Sequence, residues 1–161
     1  MPVEIPKNLH CEIRPAQKAD LKQILEIENA SFSAPWPRSA FVNELEHPFS
    51  EVLVVEHRQE QQILAFSICW FVVDEVHLLN IACHPNWRKR GLGRRLMDAI
   101  IAKAQEKNSL LVSLEVRVTN HAAIQLYLSY GFIQVGIRPR YYENNEDALV
   151  MVLLLRPDDL V

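Results

Sequence analysis

His84-Pro85-Asn86-Trp87-Arg88-Lys89-Arg90-Gly91-Leu92-Gly93-Arg94-Arg95-Leu96 joins an apolar, strand-like run to an amphipathic, helix-like one. Two glycines one residue apart let the main chain turn tightly and come close to a ligand. The first N–H groups of the helix that follows have no partner inside it, and they point outward with the positive end of the helix dipole. With Arg88, Lys89, Arg90 and Arg94 around it, the loop reads as a main-chain cradle for phosphate. A dinucleotide fingerprint needs a third glycine and a Walker A loop needs Gly-Lys-Ser/Thr, so this spacing argues against both NAD and ATP.

Outward from the loop, the elements alternate in type. Cys11–Pro15 predicts a first strand, and Ala19-Asp20 opens a helix whose Leu21, Ile24, Leu25 and Ile27 form one apolar face up to about Ser31. Pro35-Trp36-Pro37 cannot remain helical, so a second helix starts at Arg38 and runs to Glu46. Apolar, β-branched runs at Val52–Val55, Ile63–Val73 and Val76–Cys83 predict an antiparallel meander. After the glycine loop, Leu92, Leu96, Ala99, Ile100 and Ala104 recur at helical spacing, with Asn108 as the stop. Leu111–Val118 is a strand and Asn120–Tyr130 a helix. A hairpin of Phe132–Tyr141 and Ala148–Leu155 follows. The fold class is therefore α+β, an α/β/α sandwich with its sheet in the middle.

At 161 residues, 49% hydrophobic and with four glycines, the chain carries material for one core, and a single domain over 1–161 with a short leader at 1–10 is expected. A net charge of −3 makes the basic loop a local island and argues against a nucleic-acid surface. Cys11, Cys69 and Cys83 are odd in number and widely spaced, which disfavours a disulfide framework and a zinc site and suits a reducing cytoplasm. The six histidines lack metal-ligand spacing and read as surface or strand-end residues, so no metal is expected. The start Met1–Pro6 lacks a signal-peptide pattern, and no window reaches the roughly 18 apolar residues of a membrane span, so no membrane partner is expected.

In Leu111–Val118 the even positions are apolar, while Ser113, Glu115 and Arg117 share the other face of the pleat. Glu115 is either a solvated strand residue or a carboxylate lining a cleft. On the next helix Asn120 and Tyr127 lie seven residues apart and point the same way, about 10 Å apart along the axis. Asn120 also suits a helix N-cap, and Tyr127 a core aromatic.

Arg88-x-x-Gly91-x-Gly93, followed by Asn120-x-x-Ala123-x-x-Leu126-Tyr127-x-x-x-Gly131-Phe132, resembles the GCN5-related N-acetyltransferases (GNAT). Leu79-Asn80-Ile81-Ala82, Leu114-Glu115-Val116-Arg117, Phe32-x-x-x-Trp36 and Arg138-x-x-Tyr141-Tyr142 resemble its RimI branch, which acetylates the N-terminal alanine of ribosomal protein S18. The likeness runs from about Ile13 to Leu155. It implies the GNAT fold, a mostly antiparallel sheet of six to seven strands with four helices, whose splayed central strands admit acetyl-CoA. The diphosphate of the coenzyme would lie on Arg88, Lys89, Arg90, Gly91, Leu92, Gly93 and Arg94, and its pantetheine along the main chain of Ile81, Ala82 and Cys83. Asn120 matches a further cofactor contact.

By the same resemblance Glu115 is the general base and Tyr127 the general acid. An α-amine near pKa 8 is about one-tenth neutral at pH 7, so it needs only modest help. A carboxylate near 4.3 is a weak base for it, and Glu115 is expected to act through water or with its pKa raised by burial. A phenol near 10 can protonate a leaving thiolate near 8.5. Without a Cys–His or Ser–His pair, direct transfer is expected, with Cys83 a structural thiol. Phe32, Trp36, Tyr141 and Tyr142 would wall a slot for a flexible peptide end. Pro139-Arg140 and the short Glu143–Asp147 loop depart from the branch pattern, which bears on peptide specificity. A monomer is expected. Two other readings stay open: a GNAT enzyme with another acceptor (a different N-terminus, a lysine or a small amine), and a non-catalytic acetyl-CoA-binding module.

Overall fold

The computed structural model describes residues 10–156 and 158. Apart from its last residue, the expected leader lies outside them. Seven strands are β1 (Cys11–Pro15), β2 (Ser50–His57), β3 (Gln62–Val72), β4 (Glu75–Cys83), β5 (Leu111–Arg117), β6 (Ile133–Arg138) and β7 (Ala148–Leu154). Four α-helices are α1 (Leu21–Ser31), α2 (Arg38–Glu46), α3 (Leu92–Glu106) and α4 (His121–Ser129). The strands form one mixed sheet in the order β1-β2-β3-β4-β5-β7-β6. By contacts the chain forms two compact units: one holds the chain up to Trp70 together with Asn80–Ile100, the other Phe71–Leu79 and the chain from Ile101 onward.

In the first unit, β1 and β3 both pair antiparallel with β2. Every residue from Ile63 to Cys69 is buried, as a strand covered on both faces requires. Leu21, Ile24 and Ile27 bury the predicted stripe of α1, but Leu25 is only half-buried, and the stripe continues instead through Glu28, a carboxylate at 1% exposure. The Arg14 guanidinium bridges Asp20 at 2.8 Å and Glu56 at 3.0 Å, tying β1 to the start of α1 and to β2. Leu92 and Leu96 of α3 pack on Val55, Leu64 and Ala65, with Ile81, Cys83 and Trp87 alongside, which anchors the first turn of α3.

In the second unit, β4 and β5 run parallel from Glu75↔Leu111 to Leu78↔Leu114, and both strands continue past the last of these pairs. Strand β7 pairs antiparallel with β5 and with β6. Val112, Leu114 and Val116 are buried while the odd residues of β5 are half-exposed, as the alternation predicts. The sixth strand is shorter than the expected Phe132–Tyr141. It stops at Arg138, because Pro139 offers no N–H to a ladder and Arg140 turns to a φ of 50°.

Candidate active site

The loop between β4 and α3 is built by local constraints. Its entry is pinned by the His84 N–H, which donates to the Leu64 carbonyl at 2.7 Å, and by the His84 ring, whose Nδ1 accepts from the Asn86 N–H at 3.1 Å. A short 3-10 turn, Pro85–Trp87, follows. Lys89 (φ 62°) and Gly91 (φ 84°) then take left-handed conformations, and the Gly91 carbonyl accepts the first α3 bond, from Arg95, at 3.1 Å. Nothing lies within 4 Å of the place a Gly91 Cβ would take. An open backbone, the positive end of a 15-residue helix and the basic residues around it fit a diphosphate.

The basic side chains are not equivalent. Arg88 donates from Nε to the Cys83 carbonyl at 3.1 Å and from Nη2 to the Ser31 hydroxyl at 2.9 Å, so its guanidinium ties the end of α1 to the end of β4. The Arg90 guanidinium lies 4.7 Å from the centre of the Trp87 ring. The Cys83 thiol is raised from its ordinary pKa by burial, which outweighs the Arg88 charge and a hydrogen bond from the Gly93 N–H. A raised thiol suits the structural role expected of Cys83.

On β4, immediately before Ile81-Ala82-Cys83, the Asn80 amide donates to Glu28 at 2.8 Å. The Trp36 N–H approaches the other Glu28 oxygen at 3.4 Å, so one carboxylate holds both this strand and the elbow carrying Phe32 and Trp36. Burial raises the Glu28 pKa against the lowering effect of these two donors. Trp36 sits 5.7 Å from the Phe41 ring, and Phe32 caps the end of α1.

In the second unit, Glu115 meets His77 Nε2 at 2.6 Å through Oε2 and Arg138 Nη2 at 3.4 Å through Oε1. The bond to His77 lowers the Glu115 pKa, and the His77 and Arg138 charges add to it against the opposing burial. One of the two routes expected of Glu115 is corrected here. Burial does not raise Glu115, because the hydrogen bond with His77 and the charge of Arg138 on the other oxygen work against desolvation. His77, partly exposed as a surface residue would be, also touches the predicted base. Sequence reading missed it because period-2 alternation gives faces within one strand but not the register of β4 on β5.

Asn120 caps α4, its Oδ1 accepting from the Ala123 N–H at 3.2 Å. Tyr127 is 4% exposed, with its ring 5.6 Å from Phe132. Tyr141 and Tyr142 meet edge to face at 5.1 Å, with the Arg138 guanidinium 5.6 Å from the Tyr141 ring and that of Arg117 3.9 Å from the Tyr142 ring. Burial pushes the Tyr142 phenol up to about 12. Arg117 also pairs with Glu146 at 3.2 Å, and Glu146 accepts from Thr119, which ties the 143–147 loop to the start of α4. Among the described residues no group of three or more His, Cys, Asp or Glu could hold a metal ion, and no helix is long and apolar enough to cross a membrane.

The fold is that of acetyl-group transferases: residues 21–132 match the Acetyltransferase (GNAT) family, and the chain belongs to it. Membership makes the protein an N-acetyltransferase and acetyl-CoA its donor. It is 37% identical over 138 residues to the ribosomal protein bS18-alanine N-acetyltransferase of Salmonella typhimurium, covering 83% of this chain and 90% of that one. The Escherichia coli K12 protein of the same description is 34% identical over 140 residues, 85% of this chain and 93% of that one. The crystal structure of the Escherichia coli ribosomal-protein-S18-alanine N-acetyltransferase superposes with a TM-score of 0.83 at 32% identity, over 91% of this chain and 94% of the other.

Proposed function

We propose that the chain is a single N-acetyltransferase domain of the cytoplasm that acetylates the α-amine of the N-terminal alanine of ribosomal protein S18. The observation that carries the acceptor is the activity named for relatives that this chain matches over about nine-tenths of their length. The observation that carries donor binding is the open, left-handed Gly91 backbone at the head of α3.

Acetyl-CoA supplies an acyl group already activated as a thioester. Arg88, Lys89, Arg90, Gly91, Leu92, Gly93 and Arg94 would hold its diphosphate, Ile81, Ala82 and Cys83 would offer main-chain groups to its pantetheine, and Asn120 would add a contact beyond its cap. Arg88 would act mainly by fixing the loop, since its guanidinium already serves Ser31 and Cys83. Phe32, Trp36, Tyr141 and Tyr142 are the proposed acceptor-binding aromatics. Glu115 carries the general-base function, and its lowered pKa means that it works through a partner or a water molecule. Tyr127 would protonate the departing thiolate, which leaves the transfer direct.

Incubating the purified protein with acetyl-CoA and a peptide copying the S18 N-terminus, followed by mass spectrometry, tests this. A 42 Da gain on the α-amine is expected, and none when that amine is blocked. Acetylation confined to lysine side chains or small amines would move the acceptor elsewhere, and no transfer to any amine would leave only a binding module.

A further inference from the structure

We propose that His77 is the group that takes the proton from the acceptor amine and that Glu115 holds its ring, so that the base is an imidazole–carboxylate pair on the adjacent parallel strands β4 and β5. The inference rests on the acetyltransferase reading above and names the atom that does the work of its base.

The register sets the pair. His77 lies opposite Ser113, and Glu115 is the next residue of β5 on the same face. Its Oε2 reaches His77 Nε2 at 2.6 Å, while Oε1 faces Arg138 at 3.4 Å, so both carboxylate oxygens are engaged. The Glu115 side chain is 11% exposed, the His77 side chain 37%. The ring is therefore the accessible member of the pair. With hydrogen on Nε2, where the carboxylate fixes it, Nδ1 keeps its lone pair for an incoming ammonium. The relationship is that of a carboxylate selecting the tautomer of a catalytic imidazole.

Proton affinity points the same way. From an α-ammonium near 8, transfer to an ordinary carboxylate near 4.3 is uphill by about 5,000-fold, and transfer to a free imidazole near 6.5 by only about 30-fold. Glu115 lies below the ordinary carboxylate value, which widens that gap. The charged and titratable groups around the pair are Glu75 two residues earlier on β4, Arg117 with its partner Glu146, Arg138 and Tyr142. In the balanced step, the acceptor nitrogen sheds two protons. The first passes to His77 Nδ1 and on to solvent, and the second ends on the coenzyme thiol as the C–N bond forms and the C–S bond breaks.

The test compares wild type, His77→Gln and Glu115→Gln with acetyl-CoA and a peptide bearing N-terminal alanine, and records long-range 1H–15N spectra of the His77 ring in wild type and Glu115→Gln. His77→Gln should lower kcat/KM at neutral pH by about 100-fold with little change in peptide KM, and the loss should shrink as pH rises past the amine pKa. Without coenzyme, the wild-type ring should be the Nε2–H tautomer, and Glu115→Gln should mix the two. Transfer by wild type with an unaltered rate and profile in His77→Gln, or an Nδ1–H ring in wild type, overturns this proposal alone. Absence of transfer by wild type to any amine overturns the acetyltransferase reading itself.

Discussion

The Glu28 carboxylate, 1% exposed on α1, accepts a 2.8 Å hydrogen bond from the Asn80 amide on β4. Glu28 occupies a position that helical periodicity assigns to the core, one turn past Ile24 and two past Leu21. A buried carboxylate there is costly unless it is bonded. Its second oxygen faces the Trp36 N–H, so the carboxylate fixes the proposed acceptor elbow to the strand proposed to carry the donor's pantetheine.

Because burial raises its pKa, Glu28 binds a proton more readily in the folded chain than in the unfolded one. The folded state then holds more protons between the ordinary value of 4.5 and the raised value, so the contribution of Glu28 to stability is fully present below 4.5 and declines as pH rises through the raised pKa. Glu28→Gln removes that dependence. Urea unfolding at about pH 5 and about pH 8 should show wild type losing stability relative to the variant at the higher pH. A difference that is flat or of opposite sign would refute the assignment.

Val73 joins β3 to β4 at a φ of 52° with 95% of its surface exposed. A β-branched residue is strained in the left-handed region, and nothing is gained by burial to offset it. Val73→Asn should raise unfolding stability by about 0.5–1 kcal/mol, with acetyl-CoA affinity unchanged. A destabilised variant in thermal or urea unfolding would mean that the turn relaxes in solution.

Much of this molecule could be read from the chain. Alternating polarity at Leu111–Arg117 put Glu115 on the open face of its strand, and Asn120 was legible as a cap because its side chain closes the first turn of α4 by itself. The antiparallel pairing of neighbouring strands was legible, but the register between strands distant in sequence was not. His77 against Glu115 depends on the parallel register of β4 on β5, and Glu28 against Asn80 joins residues 52 positions apart. The position of Arg88 was half-read: its charge was evident, but its bonds to Ser31 and the Cys83 carbonyl follow from tertiary packing.

Gly91 separates backbone chemistry from packing. A methyl group there meets nothing within 4 Å, so Gly91→Ala changes the conformational energy at a φ of 84° and the surface offered to a ligand, and little else. The strain should cost about 1–2 kcal/mol of stability. If the loop holds the diphosphate, acetyl-CoA affinity by calorimetry should fall at least tenfold, since the methyl group and any relaxation of φ both disturb the N–H cradle. Unaltered affinity in a folded variant would place the diphosphate elsewhere.

Tyr127 distinguishes a catalytic phenol from a packing ring. At 4% exposure and 5.6 Å from the Phe132 ring, its aromatic body belongs to the core, and Tyr127→Ala should cost about 3–5 kcal/mol whatever the hydroxyl does. Tyr127→Phe keeps that body and removes only the proton donor. If the phenol protonates the departing thiolate, this variant should lower kcat by about 100-fold while acetyl-CoA affinity stays near wild type. Donors whose thiol has a lower pKa need less protonation as they leave, so the deficit should narrow with them. A Tyr127→Phe enzyme with wild-type kcat on every donor would return Tyr127 to a purely structural role.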